Sequence, residues 1–160
     1  MILKTLTHFC SPGGQNGKLS ILIFHRVLPA GSSSLSFDIN ASQFTRIVQW
    51  LAKWFNVISL DQAVLQLVQG TLPPRAAAIT FDDGYADNLL VATPILKNYG
   101  MSATFFIASG YLDGGQMWND TIIESIRCCR QNHLDLTAKE LGNYDLSCPQ
   151  KRRKSINQIL

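Results

Sequence analysis

The feature that most constrains the fold is a continuous apolar run that ends in two adjacent carboxylates and a glycine. It spans Ala76–Gly84, and Pro73 and Pro74 precede it. Because proline disrupts regular structure, the run has a clear upstream boundary. A short apolar run between breakers is typical of a strand buried on both faces of a parallel sheet. Ligands bind outside the carboxyl ends of such strands, which is where Asp82 and Asp83 would lie.

Two neighbouring carboxylates at a strand end repel each other while they lose contact with water. A cation or a shared proton relieves that repulsion. If the strand continues through Asp82 and Asp83, their side chains point to opposite sides. One of them can then hold a metal while the other accepts a proton. Gly84 permits a tight turn and a close approach to a ligand. The alternative is an ordinary Asp-Asp-Gly turn between a strand and a helix.

Composition indicates a globular chain with a real core. The sequence has 160 residues, of which 46% are apolar and 16% charged, and this length suits one domain. A net charge of +3 does not indicate nucleic acid as a partner. The basic cluster Lys151–Lys154 is predicted to be a solvated helix face, with a patch for polyanions or a membrane surface as the alternative. No apolar run reaches the length of a transmembrane segment.

The amino-terminal segment predicts a flexible arm over residues 1–18, because Gly13, Gly14 and Gly17 interrupt it. It lacks the apolar core and cleavage pattern of a secretory signal. Cytoplasmic location is then the default. The four cysteines show no Cys-x-x-Cys spacing, so reduced thiols are expected rather than a zinc knuckle.

Strands and helices alternate along the chain, which predicts an α/β fold with a parallel sheet. Three strands are expected, at Leu19–Val27, Ala76–Asp82 and Ser102–Ala108. The chain is too short to close an α/β barrel alone, since such barrels take roughly 200 residues or more. His25 lies near the carboxyl end of the first strand, so it either faces the same pocket as Asp82 or is a buried structural histidine.

The helices are predicted from apolar periodicity and capping residues. The first follows Asn40, with Gln43 completing a capping box, and Trp50 and Trp54 are expected to pack rather than bind sugar. Further capping boxes are expected at Ser59–Gln62 and Thr121–Glu124, and Val64, Leu67 and Val68 should face inward on the second helix. A helix is also expected over Tyr85–Tyr99, where Pro94 kinks or restarts it. A last helix begins at Pro149.

Several blocks of the sequence resemble one enzyme family. Thr80–Asn88 resembles the first motif of the polysaccharide deacetylases, carbohydrate esterase family 4, which carry the NodB-homology domain. Pro94–Phe106 is similar to the helix and strand that follow that motif. The stretches at Phe24–Val27 and Met117–Asp120 resemble one branch of the family. The resemblance covers about Leu19 to Arg130, and its blocks agree in order and spacing.

The resemblance implies an incomplete distorted (β/α) barrel, with parallel strands and outer helices, that removes acetyl groups from N-acetylated polysaccharides or oligosaccharides. It makes Asp82 the general base and Asp83 a ligand of a divalent metal. Zinc is expected, with cobalt or nickel as alternatives. Substrate contacts are expected of His25 and Tyr85. A metal of this kind activates water and polarises the amide carbonyl, and Asp82 would take the proton from that water. Family members often act at the cell envelope, which is the alternative location.

The sequence departs from the family pattern in its histidines. The second motif of the family supplies two metal ligands spaced His-x-x-x-His, whereas this sequence has only His8, His25 and His133. A catalytic zinc site normally takes three protein ligands. Residues 19–160 are therefore expected to form the amino-terminal part of a deacetylase domain, truncated before the histidine motif and inactive alone. A missing carboxy-terminal half would be its partner.

Two alternatives to an enzyme of this family stay open. One is a non-catalytic remnant that binds carbohydrate or a partner chain. The other is a receiver-like domain that accepts a phosphoryl group, because such domains also gather acids at strand ends. The receiver ranks lower, since such folds place their acidic pair after the first strand, whereas Asp82 and Asp83 lie far along this chain.

Overall fold

The computed structural model describes residues 11–31 and 38–160. These residues group into two compact units. The first unit contains the described residues up to Ala108, and the second begins at Ser109. Cys10 and most of the serine-rich segment that follows Gly31 lie outside the described residues. The predicted acidic site falls entirely within the first unit.

The first unit is built on an open parallel sheet around one buried strand. Its strands are β1 (Leu19–Phe24), β2 (Val27–Leu28), β3 (Ile39–Asn40), β4 (Asn56–Val57), β5 (Ala76–Phe81) and β6 (Thr104–Phe105). The strand β5 pairs with β1 along its whole length, with β4 at its start and with β6 at its end. A separate short pair joins β2 to β3. The parallel α/β sheet agrees with the predicted fold class.

Both edges of β5 are occupied, which explains its burial. Ile58 donates its backbone N–H to the carbonyl of Ala77 at 2.9 Å, and Phe106 donates to the carbonyl of Phe81 at 2.8 Å. These two carbonyls point to the same edge, so β4 and β6 share one side of β5 while β1 takes the other. All six residues of β5 are buried, as the apolar run predicts.

The helices of this unit begin and end close to the predicted positions. They are α1 (Ala41–Trp54), α2 (Leu60–Val68) and α3 (Thr93–Asn98), and a π-helical turn, Asn88–Ala92, leads into α3. The capping box of Asn40 and Gln43 is confirmed, with both reciprocal hydrogen bonds present. Pro94 lies at the start of α3, where its missing N–H costs nothing. The α-helix begins one residue before Pro94, directly after the π-helical turn, so Pro94 is not the first helical position that a restart predicted.

The core of the first unit is an aromatic cluster between the sheet and α1. The ring of Phe81 lies 5.4 Å from that of Phe24, 5.8 Å from that of Phe44 and 5.1 Å from that of Phe105, centroid to centroid. Phe44 and Val48 are fully buried one turn apart on α1, as the helical periodicity predicts. This packing holds β5 in place from one face of the sheet.

Two predictions of burial are wrong. Val64, Leu67 and Val68 of α2 are exposed, and Val68 is 81% exposed. Ala63 is instead the buried residue of that helix. The strand at Ser102–Ala108 is also shorter and less buried than predicted. Among the described residues β6 pairs only with β5, so Phe106, next in the chain, is 50% exposed.

The described part of the predicted flexible arm, residues 11–18, is attached to the first unit. Gly14 donates its N–H to the carbonyl of Leu72 at 2.7 Å, and Arg75 donates to the carbonyl of Ser11 at 2.9 Å. A short 3₁₀ turn, Gly14–Asn16, follows. These bonds anchor the segment beside the start of β5. The first ten residues of the arm, which include His8, lie outside the described residues.

The second unit has its own small core. It contains α4 (Trp118–Cys128), an antiparallel hairpin of β7 (His133–Asp135) and β8 (Asn143–Asp145), and α5 (Pro149–Ile159). Ile126, Leu146 and Ile156 are its buried residues. The helix α4 begins after Met117, so the capping box predicted at Thr121 is wrong. The hydroxyl of Thr121 instead donates to the carbonyl of Met117 at 3.1 Å, inside the first turn of the helix.

Part of the basic cluster makes structural contacts inside the second unit. The guanidinium of Arg152 donates to the carbonyls of Ile126 at 2.5 Å and Cys129 at 2.9 Å, at the end of α4. Lys151 bonds the carboxylate of Asp145 at 2.6 Å. Carbonyls at the end of a helix lack partners within that helix, so Arg152 supplies a cap. Arg152 and Lys151 therefore bond to the protein itself, which corrects the prediction that the whole basic cluster is a solvated helix face.

No helix among residues 11–31 and 38–160 is long and apolar enough to cross a membrane.

Candidate active site

The acidic pair lies at the carboxyl end of β5, where the sequence predicts it. Asp82 continues the ladder, since its N–H donates to the carbonyl of Phe24 at 2.9 Å. The side chains of Phe81 and Asp82 therefore alternate, with Phe81 in the core and Asp82 on the opposite face of the sheet. Both Asp82 and Asp83 are half-buried. Their position at the carboxyl end of the strands is open to a ligand.

The backbone turns sharply at Asp83, which differs from the predicted extended geometry. The φ angle of Asp83 is 72° and that of Gly84 is 73°, so two consecutive residues take the left-handed conformation. The N–H of Gly84 donates to the carbonyl of Asp82 at 2.9 Å, and the N–H of Ala108 donates to the carbonyl of Asp83 at 3.3 Å. The turn, not strand alternation, separates the directions of the two carboxylates.

Neither carboxylate of the pair is neutralised by a cationic side chain in the part of the chain that the structure describes. Ion pairs in that part of the chain include Arg26 with Asp87, Arg127 with Glu124 and Lys151 with Asp145. A half-buried carboxylate without an ion-pair partner is available to bind a cation or to accept a proton. The geometry therefore permits both predicted roles and establishes neither.

His25 and Tyr85 lie at the same end of the sheet. Phe24 pairs with Phe81 in the parallel register, so His25 leaves β1 level with Asp82. His25 is exposed, which excludes its alternative as a buried structural histidine. Tyr85 follows the turn, and the guanidinium carbon of Arg26 lies 4.5 Å from the centre of its ring. The structure thus brings the four predicted site residues to the carboxyl end of the sheet.

Two further residues connect to this loop, and the sequence reasoning missed both. Arg26 and Asp87 form an ion pair with an Nε–Oδ2 distance of 2.9 Å. The other oxygen of Asp87 accepts from the N–H of Val27 at 3.2 Å. The two residues are 61 positions apart, so no local pattern could have revealed the pair. The available signal was that each lies inside a block that resembles the deacetylases.

A small apolar cavity of about 250 Å³ borders the loop. Its lining includes Gly84, Tyr85, Asn88, Leu89 and Ile107. The side chain of Asn88 is 3% exposed, and neither of its polar atoms has a hydrogen-bond partner among the described residues. Both atoms are buried, and the lining of the cavity is mainly apolar.

The described residues do not assemble a metal centre. No group of three histidine, cysteine, aspartate or glutamate side chains within residues 11–31 and 38–160 could hold a metal ion. Catalytic zinc normally takes three protein ligands and an open position. The full sequence contains no His-x-x-x-His pattern. These residues therefore do not fit a complete metal site, and we derive no reaction step through a metal.

Comparison with known proteins shows which family part of the chain resembles. The polysaccharide deacetylase family model matches residues 69–130, which include β5 and the whole acidic loop. Over residues 69–130 the chain is therefore similar to the polysaccharide deacetylases. The predicted resemblance is confirmed over this range. The range includes the first motif, Thr80–Asn88, in which the backbone turns at Asp83 and Gly84.

Individual proteins similar to this chain are named as deacetylases. A Bacillus subtilis protein named as a polysaccharide deacetylase, YxkH, is 38% identical over 92 residues, which are 56% of this chain and 32% of the relative. A Staphylococcus aureus poly-beta-1,6-N-acetyl-D-glucosamine N-deacetylase is 27% identical over 121 residues, 75% of this chain and 42% of the relative. This chain thus spans about a third to two fifths of the length of these relatives.

A solved structure resembles the fold of this chain. The de-N-acetylase of Aggregatibacter actinomycetemcomitans superimposes with a TM-score of 0.52 and 31% sequence identity. The match covers 61% of this chain and 40% of that one. The α/β architecture with parallel strands is therefore that of a deacetylase domain, and within the described residues its sheet does not close into a barrel.

Proposed function

We propose that the chain carries the general base of a polysaccharide N-deacetylase, and that this base is Asp82. The observation that supports the proposal most is the half-buried pair Asp82–Asp83, without a cationic partner among the described residues, at the carboxyl end of β5. In this role Asp82 accepts the proton of the water that attacks the acetamide carbonyl. The reaction would break the amide carbon–nitrogen bond and release acetate and a free amine.

Asp83 is proposed as one ligand of a divalent cation, with zinc as the expected metal and cobalt or nickel as alternatives. A single carboxylate binds zinc weakly, because structural and catalytic sites take three or four protein ligands. We therefore expect calorimetry to detect no difference in zinc affinity between the chain and its Asp83→Ala variant. Tight zinc binding that depends on Asp83 would show that the chain forms a complete metal site, which would contradict the proposal.

The proposed substrate is an N-acetylated polysaccharide or oligosaccharide, as the name of the Staphylococcus aureus relative indicates for that protein. His25 and Tyr85 are proposed to contact it, because they lie at the same end of the sheet as the acidic pair. Binding can be measured by titrating N-acetylglucosamine oligomers into the isotope-labelled chain. We expect resonances of residues 82–85 to shift, and glucosamine oligomers without acetyl groups to shift them less. Equal shifts would contradict recognition of the acetyl group.

The role of Asp82 can be tested in a complete deacetylase. The loop Thr80–Asn88 would replace the aligned loop of the Staphylococcus aureus relative, and acetate release would be measured on N-acetylglucosamine oligomers. We expect the chimera to release acetate, and Asp82→Asn within it to reduce turnover by about 10²-fold or more while zinc stays bound. Near-normal turnover of that variant would exclude Asp82 as the base.

A second candidate function is a non-catalytic fold that binds carbohydrate or a partner chain. The observation that favours it is the absence of a three-ligand metal cluster from the described residues. The chimera distinguishes the two candidates, because a remnant loop has lost the geometry that catalysis needs. Carbohydrate binding by the chain together with an inactive chimera would support the remnant. An active chimera that depends on Asp82 would support the enzyme.

A further inference from the structure

The acidic turn has an unfavourable backbone conformation that its surroundings must maintain. Asp83 has a φ angle of 72°, a region that residues with a Cβ rarely occupy. Such conformations persist where neighbouring structure holds them in place. Two backbone hydrogen bonds hold the start of the loop, from Gly84 to Asp82 and from Ala108 to Asp83. The far end of the loop, at Asp87, needs a separate anchor.

Asp87 provides that anchor with both of its carboxylate oxygens. Oδ2 accepts from Nε of Arg26 at 2.9 Å, and Oδ1 accepts from the N–H of Val27 at 3.2 Å. The side chain of Asp87 is 10% exposed and that of Arg26 is 33% exposed, so water screens the pair only in part. Hydrogen bonds between charged groups are stronger than neutral ones. The end of the loop is thereby fixed to the segment between β1 and β2.

Arg26 also contacts the middle of the loop. Its guanidinium carbon lies 4.5 Å from the centre of the Tyr85 ring, within the range of a cation–π interaction. One arginine therefore touches two loop residues, Tyr85 by stacking and Asp87 by the ion pair. The planar guanidinium suits both contacts at once, which an ammonium group does less well. Because Arg26 follows His25 directly, the same contacts also fix the position of that histidine.

We infer that Arg26 and Asp87 are positioning residues for the acidic pair. They form a clamp, defined here as Arg26, Asp87 and Tyr85, that holds the loop of Asp82 and Asp83 in its left-handed turn. The inference rests on the proposed function of Asp82 and Asp83, because positioning matters only if those carboxylates act. The clamp acts through the loop, and none of its ion-pair atoms belongs to the acidic pair.

Amide hydrogen exchange of the full chain tests the clamp without any substrate. The informative amides are those of Gly84 and Ala108, because their hydrogen bonds define the turn. Asp87→Asn keeps the shape of the side chain and removes the charge. We expect exchange at both amides to accelerate by about tenfold. Exchange at Ala77–Ile79 in β5 should change by less than twofold, since these residues report opening of the whole unit.

Two further variants make the result decisive. Arg26→Lys keeps the charge but loses the planar contacts, so it should accelerate the same two amides by a smaller factor. Asp145→Asn breaks an ion pair in the other unit, so it should leave both amides unchanged. If Asp87→Asn does not fold, Arg26→Lys carries the test by the same readout. Unchanged exchange at Gly84 and Ala108, or an equal increase throughout β5, would overturn the clamp.

The outcome is distinguishable from failure of the proposed function. The exchange experiment depends only on the conformation of the loop, whereas the role of Asp82 depends on acetate release by the chimera. An active-site loop that loosens in Asp87→Asn, together with normal turnover of Asp82→Asn, would refute the chemistry and retain the clamp. Unchanged hydrogen exchange at the loop amides in both clamp variants would refute the clamp, whatever the result of the acetate-release assay.

Discussion

Substitution of Gly84 by alanine tests the geometry of the acidic turn directly. Gly84 has a φ angle of 73°, and a Cβ added there would lie 2.8 Å from Cδ1, 3.2 Å from Cγ2 and 3.4 Å from Cα of Ile107. The left-handed backbone costs an alanine about 1 kcal/mol relative to glycine. The δ-methyl can rotate away, but Cγ2 of a β-branched residue is held more firmly. Crowding of this kind adds about 1–2 kcal/mol.

Gly100 offers a matched control that measures only the cost of placing alanine in a left-handed backbone conformation. Its φ angle is 62°, and a Cβ there would meet no atom within 4 Å. We expect Gly100→Ala to cost about 1 kcal/mol and Gly84→Ala about 2–3 kcal/mol of unfolding free energy. The difference between the two variants measures the contact with Ile107.

The assay should follow only the first unit, because two compact units need not unfold together. Urea unfolding monitored at the amide resonances of β5 meets this requirement. A double variant that also carries Ile107→Ala should recover most of the crowding cost, which a double-mutant cycle would report as coupling. If Gly84→Ala costs no more than Gly100→Ala, the close packing of the turn against Ile107 is incorrect.

Three further perturbations test other parts of the molecule. Phe81→Ala, at the centre of the aromatic cluster, should cost about 3–5 kcal/mol of stability in urea unfolding, and a loss below 1 kcal/mol would contradict that packing. Asn40→Ala should cost about 1 kcal/mol by removing the cap of α1, and Gln43→Ala, which removes only the reciprocal bond, should cost less. Lys151 holds the pKa of Asp145 well below its ordinary value, so the pair should stabilise the second unit at neutral pH and lose that contribution as pH falls below about 4. Thermal unfolding of Asp145→Asn should depend less on pH in that range, and an unchanged pH dependence would refute the contribution.

Local sequence signals predicted the elements that build the site. The apolar run of β5, the capping box of Asn40 and Gln43, and the place of Pro94 in the first turn of a helix all appear in the structure. Each depends on residues within a few positions of one another, so short-range sterics and hydrogen bonding decide it. The position of Asp82 and Asp83 followed from the same reasoning, because a strand end is a local property.

Burial was predicted less well, because it depends on what each surface meets. The apolar side chains Val64 and Val68 suggested an inward face for α2, yet both are exposed. The buried residue of that helix is Ala63. Apolar composition alone does not identify which side of a short helix is covered, since the answer lies in the neighbouring element.

The sequence by itself determined that this chain forms a parallel α/β sheet with two adjacent carboxylates at the end of its buried strand. Only the tertiary structure decided how those carboxylates are presented. The left-handed turn at Asp83 and the clamp of Arg26 on Asp87 and Tyr85 depend on β1 lying beside β5. Residues 61 positions apart meet only after the sheet forms, so no periodicity or spacing along the chain encodes their contact.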